Sequence, residues 1–128
     1  MEPVWLVERA VIAVHHTLIA EHGGSAGVRD PGLLDSALAR PQNRYAYDPE
    51  ATVFELAAAY AFGLARNHPF VDGNKRIALT ATAMFLAVNA YKFQPDKVDA
   101  YETFIKLAAG ELNEPELARW IAANATQA

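Results

Sequence analysis

At 128 residues, 52% of them apolar, the chain is expected to form a single domain, residues 1–128, with a proper core. A formal net charge of −4 argues against a general nucleic-acid binder, and the lack of cysteine excludes disulfides and thiolate chemistry, which fits a cytoplasmic protein. No apolar run is long and charge-free enough for a bilayer and the first residues carry no basic run, so neither a membrane span nor a signal peptide is expected.

In chain order, Val7, Val11, Val14 and Leu18 stand at helical spacing and predict a first helix over 4–22, ended by Gly23-Gly24. A loop follows over 25–29. Asp30-Pro31 has the form of a helix start, with Leu33, Leu34, Ala37 and Leu38 as the buried stripe and Pro41 closing the helix. Residues 41–48, with Tyr45 and Tyr47, then read as an exposed connection. That connection is either a surface loop with its rings folded onto the core or a flap that positions an extended substrate segment.

Asp48-Pro49-Glu50 repeats the helix start, and the helix it opens should run to about residue 67. Phe54, Leu56, Tyr60, Phe62 and Leu64 make it apolar nearly all round, so it is expected to be central. A second central helix carries Ile77, Leu79, Met84, Phe85, Leu86 and Val88, and Asn89-Ala90-Tyr91 turns the chain. Val98, Tyr101, Phe104 and Ile105 predict an amphipathic helix over 96–109, stopped by Gly110. Asn113-Glu114-Pro115-Glu116 has the form of a capping box before a last helix with Leu117, Trp120 and Ile121 inward. No period-two alternation requires a sheet. The expected fold is a compact all-α bundle of about six helices.

Between the two central helices stands His68-Pro69-Phe70-Val71-Asp72-Gly73-Asn74-Lys75-Arg76. Lysine and arginine in the first turn of a helix run against the usual preference for acids there. The start of a helix offers unpaired N–H groups, so cations at that place predict an anion site, most simply for phosphate. Gly73 and Asn74 would open a nest of N–H groups, Lys75 would add a point charge and Arg76 a two-pronged fork. Arg66, just before the loop, is expected to reach the same place. Asp72 is either a helix cap or a magnesium ligand beside a polyphosphate. His68 suits a general base acting on a hydroxyl nucleophile. Pro69 and Phe70 look architectural. His15, His16 and His22 have no ligand-like spacing and are expected at the core edge or the surface. Zinc-protease, nucleophile-elbow and P-loop patterns are absent.

The stretch resembles the signature of the Fic/Doc family, His-x-Phe-x-Asp/Glu-Gly/Ala-Asn-Gly/Lys-Arg, at His68, Phe70, Asp72, Gly73, Asn74, Lys75 and Arg76. Gly23-Gly24, Val28-Arg29-Asp30-Pro31-Gly32-Leu33-Leu34 and the all-α layout look like the short, Doc-type members, so the resemblance spans nearly the whole chain. Adenylyl-transferring members typically read Gly-Asn-Gly-Arg-x-x-Arg. Lys75 and Leu79 replace the second glycine and the second arginine here, as in Doc.

The resemblance implies a kinase that presents the γ-phosphate of ATP to a target hydroxyl. His68 would be the base, Asp72 would hold Mg²⁺, and Gly73, Asn74, Lys75 and Arg76, joined by Arg66, would hold phosphates. It further implies a toxin that phosphorylates a threonine of elongation factor Tu, restrained by a Phd-like antitoxin whose disordered tail folds across the site. The inhibitory pattern Ser/Thr-x-x-x-Glu-Gly/Asn finds only a chance match from Thr17 to His22. Transfer of AMP or another nucleotide group is the alternative activity. A non-catalytic nucleotide-binding or interaction domain is the third reading.

Overall fold

A computed structural model describes residues 2–128. The described residues form six helices: α1 (Glu8–His22), α2 (Pro31–Tyr47), α3 (Val53–Asn67), α4 (Asn74–Val88), α5 (Lys97–Ala108) and α6 (Glu114–Ala123). Two three-residue strands, β1 (Tyr91–Phe93) and β2 (Ala125–Gln127), pair antiparallel with Lys92 opposite Thr126. The all-α expectation holds, with this ribbon as its one addition. Strands this short carry too little alternation to be read from sequence. No described helix is long and apolar enough to cross a membrane.

α3 is the axis of the bundle. It packs against α2, α4, α5 and α6, and Leu56, Ala57, Ala58, Ala59, Tyr60, Ala61, Leu64 and Ala65 are fully buried. Its alanines keep the neighbouring helices close. At Gly63 the approach is close: a Cβ there would lie 3.0 Å from the Cα of Ala37 in α2. His68 and Asn74 are therefore mounted at the ends of two helices fixed in the core, and a short loop joins them.

Three boundaries differ from expectation, each for an identifiable reason. α1 starts at Glu8, because the chain before it is held extended: the Val4 N–H and carbonyl pair with the Asn89 amide, and the Leu6 N–H donates to the Tyr60 hydroxyl at 3.0 Å. Burial raises the pKa of that tyrosine, so its hydroxyl keeps its hydrogen and serves here as an acceptor. Pro41 does not close α2; it lies buried inside the helix, which runs on to Tyr47. A proline there leaves the Ala37 carbonyl without its helical donor, yet the ring is buried in a helix that packs along α3, and the helix runs on. The flap reading of residues 41–48 is thereby withdrawn. Tyr45 packs edge-on against Trp5, and Tyr47 projects 93% exposed from the last turn of the helix.

Asp48 ends α2 rather than starting α3. α3 starts instead from a capping box in which Thr52 Oγ1 accepts from Glu55 N–H at 3.1 Å and the Glu55 carboxylate accepts from Thr52 N–H at 2.9 Å. On α5 the buried face is Ala100, Thr103, Phe104 and Leu107; Val98, Tyr101 and Ile105, expected inward, are exposed. Asn113 and Glu116 do form the capping box of α6.

The Glu55 carboxyl is held below the usual range, first by the Thr52 backbone N–H and further by the Thr52 hydroxyl and the Arg44 guanidinium. A depressed carboxyl contributes stability above its unfolded pKa and loses it as pH falls through the folded value. Glu55→Gln should therefore melt below the parent at pH 7, and the two curves should converge as pH drops below 4.5. Removing the hydroxyl of the cap by Thr52→Ala should cost about 1 kcal/mol, or about 4 °C in melting temperature. Thermal denaturation followed by circular dichroism across pH checks both.

Candidate functional site

His68 caps α3 in the left-handed conformation, φ 51° and ψ 54°. A non-glycine residue there is strained and needs its surroundings to hold it. The loop before α2 does so. The Arg29 Nε donates to the His68 carbonyl at 2.8 Å and its terminal nitrogen to the Asn67 carbonyl at 3.1 Å, so a cation closes the carbonyl end of α3. The main chain continues the strap: Arg29 and Asp30 N–H donate to the Pro69 carbonyl, Val71 N–H donates to that of Gly27, and Val28 bridges Phe70. None of these contacts can be read from residue spacing.

Asn74 locks the loop from inside. Its side chain is buried; Oδ1 accepts from Phe70 N–H at 3.0 Å, and Nδ2 donates to the Phe70 carbonyl at 3.0 Å and to His68 Nδ1 at 3.1 Å. The two Phe70 bonds fix which end of the amide is nitrogen, so His68 Nδ1 is an acceptor. A neutral ring then carries its hydrogen on Nε2. Asn74, expected as a phosphate contact, spends its side chain on the loop. What it can offer a ligand is its backbone N–H.

α4 begins at Asn74 with no side chain capping it, and its first internal bond is Ile77 N–H to the Gly73 carbonyl. The N–H groups of Asn74, Lys75 and Arg76 therefore have no acceptor within the helix. The Gly73 N–H, expected in the same nest, goes instead to Asp72 Oδ1 at 2.9 Å. Lys75 and Arg76 are exposed and make no ion pair with a described residue. Gly73 sits at φ 72°, in the left-handed region that glycine tolerates.

These residues line the mouth of a cleft of about 620 Å³. His68, Asp72, Gly73, Asn74, Lys75 and Arg76 form one side. Leu79, Ala83, Phe93, Tyr101, Phe104 and Ile105 form a largely apolar wall, with Lys97 beside them. The exposed Tyr101 and Ile105 side chains of α5 thus face a cavity. The sequence reading missed this wall and Lys97, because a cleft side chain and a core side chain share the same helical spacing.

Arg66 is the expected site residue that is not brought to the cleft. Its guanidinium lies 5.3 Å from the Phe62 ring centroid and against Gly110. A cation there faces the end of α5. His15, expected at the core edge or the surface, is 2% exposed and donates from Nε2 to the Asp72 carbonyl at 2.8 Å. His16 and His22 are exposed as expected.

The donor set fits one kind of metal. Asp72 is an exposed carboxylate whose two oxygens each accept one backbone N–H, from Gly73 at 2.9 Å and from Ser25 at 3.3 Å, which leaves lone pairs toward the cleft. No group of three or more His, Cys, Asp or Glu that could hold a metal ion occurs among the described residues. One carboxylate beside an anion site suits Mg²⁺ shared with phosphate oxygens and water; it does not suit a tightly held zinc.

Comparison with known proteins shows what the chain is similar to. The family model described as Fic/DOC family matches residues 5–86, which include the whole loop. The chain is 34% identical over 108 residues to "Protein kinase doc" of Escherichia phage P1, covering 84% of this chain and 85% of that protein. It is 48% identical over 75 residues to "Toxin Doc" of Mycolicibacterium smegmatis, covering 58% of each.

Proposed function

The chain belongs to the Fic/Doc family, and on that premise we propose that it is a Doc-like toxin that transfers the γ-phosphate of ATP to a hydroxyl of a protein target. The observation that carries the reading is the uncapped start of α4. Three N–H groups and two unpaired cations, Lys75 and Arg76, open onto the same cleft as His68 and Asp72. Such a place attracts a polyphosphate and has a titratable ring and a carboxylate within the same mouth.

Each residue has a part in the transfer. The N–H groups of Asn74, Lys75 and Arg76 and the two side-chain cations would hold the phosphate oxygens and neutralise charge as it moves between them. Asp72 would hold Mg²⁺, which would supply further charge neutralisation. His68 would take the proton of the target hydroxyl. For that, its Nε2 must be free of hydrogen, so the ring must release Asn74 and carry its hydrogen on Nδ1. The ring is exposed, and Asn74 Nδ2 keeps the Phe70 carbonyl as a partner, so the change breaks one hydrogen bond. The apolar wall would shield the reacting groups from water.

Leu79 and Lys75 favour phosphoryl over nucleotidyl transfer. Both line the cleft, and they stand where AMP-transferring members carry arginine and glycine. The name "Protein kinase doc" of the phage relative supports the same choice. By family resemblance the target is a threonine of elongation factor Tu and the restraining partner a Phd-like antitoxin, both in the cytoplasm. The test is label transfer in a cell extract with Mg²⁺ and ATP labelled at either the α- or the γ-phosphate. A protein band carrying γ label alone, of the size of elongation factor Tu, is the expected result. A band carrying α label would replace the kinase by a nucleotidyltransferase. No band with either label would remove both.

A further inference from the structure

We propose that His15, on α1 and outside the catalytic loop, is a positioning residue that aims the Asp72 carboxylate; the inference rests on the reading of Asp72 as the metal ligand. An imidazole 2% exposed in an apolar setting needs a polar partner. His15 has one in the Asp72 carbonyl, 2.8 Å from Nε2. A carbonyl only accepts, so Nε2 carries the hydrogen. The ring lies flat on Phe70, centroids 3.8 Å apart and planes 13° from parallel, and this stack fixes the direction of the N–H.

The consequence follows from the planarity of one peptide. The Asp72 carbonyl and the Gly73 N–H belong to the same trans unit, so they point in opposite directions. His15 draws the carbonyl toward α1. The N–H is thereby turned the other way, and there it holds Asp72 Oδ1 at 2.9 Å. The inward hydrogen bond of His15 thus sets the outward hydrogen bond that orients the carboxylate. One turn along α1, the buried Ile19 supports the same corner: its Cδ1 lies 3.2 Å from where a Cβ on Gly73 or on Gly24 would stand. Ser25 N–H holds the other carboxylate oxygen. Without the His15 donor, the peptide is free to turn over and Oδ1 loses its partner.

The experiment uses the full chain with His15→Leu, which keeps bulk against Phe70 and lacks the donor, and His15→Gln, whose amide nitrogen can replace Nε2–H. The first readout is amide hydrogen exchange of the free protein. His15→Leu should speed exchange at Gly73 about tenfold while Tyr60 and Leu64 in α3 stay as in the parent, and His15→Gln should restore it. The second is Mn²⁺ affinity in the presence of a non-hydrolysable ATP analogue, by electron paramagnetic resonance. His15→Leu should weaken it about tenfold or more, with analogue affinity in the absence of metal unchanged. Unchanged exchange at Gly73 in His15→Leu, or His15→Gln as defective as His15→Leu, overturns the proposal. If the parent itself binds no Mn²⁺, the metal reading of Asp72 fails, and exchange at Gly73 still decides whether His15 sets the peptide.

Discussion

His68→Ala should lower phosphoryl transfer about a thousandfold and abolish growth arrest on expression, while the melting temperature moves by no more than a few degrees. The size of the kinetic loss is that of a positioned acid–base group, about 10² to 10⁴ in rate. The small thermal effect follows from the placement of the side chain. The ring is exposed, and its one side-chain hydrogen bond goes to Asn74 Nδ2, which has a second acceptor in the Phe70 carbonyl. The main-chain contacts of the residue, the Arg29 bond to its carbonyl among them, do not depend on the imidazole. His68→Gly provides the control. It relieves the left-handed conformation at φ 51°, so it should melt no lower than His68→Ala while being equally inactive. Rates come from single-turnover label transfer and stability from thermal denaturation. A His68→Ala protein as active as the parent would remove the imidazole from the chemistry.

The nine residues from His68 to Arg76 mark the candidate site because they break local rules: cations at a helix start and a carboxylate and imidazole between apolar helices. The helices were legible for the opposite reason, since their apolar spacing and caps agree with the fold. Where the reading failed, the deciding contact was remote in sequence at every place but the start of α3. Pro41 lies buried within α2, which packs along α3 and runs on past it. The start of α3 was misplaced by four residues of chain: Asp48-Pro49 looked like a start, but the reciprocal pair Thr52 and Glu55 holds two orphan N–H groups where an aspartate alone holds one. Arg66 is near the loop in sequence, but its helical position turns it toward Phe62. His15 is 57 residues from the carbonyl it holds, and nothing in its neighbourhood marks it. Pattern reports which residues share a face; it does not report which faces meet.

Phe70→Ala should be the most destabilising single change in the loop, and it should cost activity beyond its cost in stability. The ring is fully buried, and its truncation should cost about 4 kcal/mol. That is a large fraction of a total stability of about 5–15 kcal/mol, and it corresponds to a melting temperature lower by about 15 °C. The kinetic effect has a different origin. The Phe70 N–H and carbonyl hold both ends of the Asn74 amide, and its ring is the surface on which His15 lies. Residue 70 also forms the bridge to Val28 that ties the loop to the strap before α2. When the ring is removed, the backbone of residue 70 loses its anchor, so His68 and Asp72 loosen together although neither has changed. Activity measured 20 °C below the variant's own melting temperature should therefore remain at least tenfold under that of the parent measured at its own corresponding temperature. Phe70→Leu, which keeps most of the buried volume, should cost about 1–2 kcal/mol and recover most of the rate. If Phe70→Ala regains full activity once the folded population is matched, the ring is only core, and the loop is held by its hydrogen bonds alone.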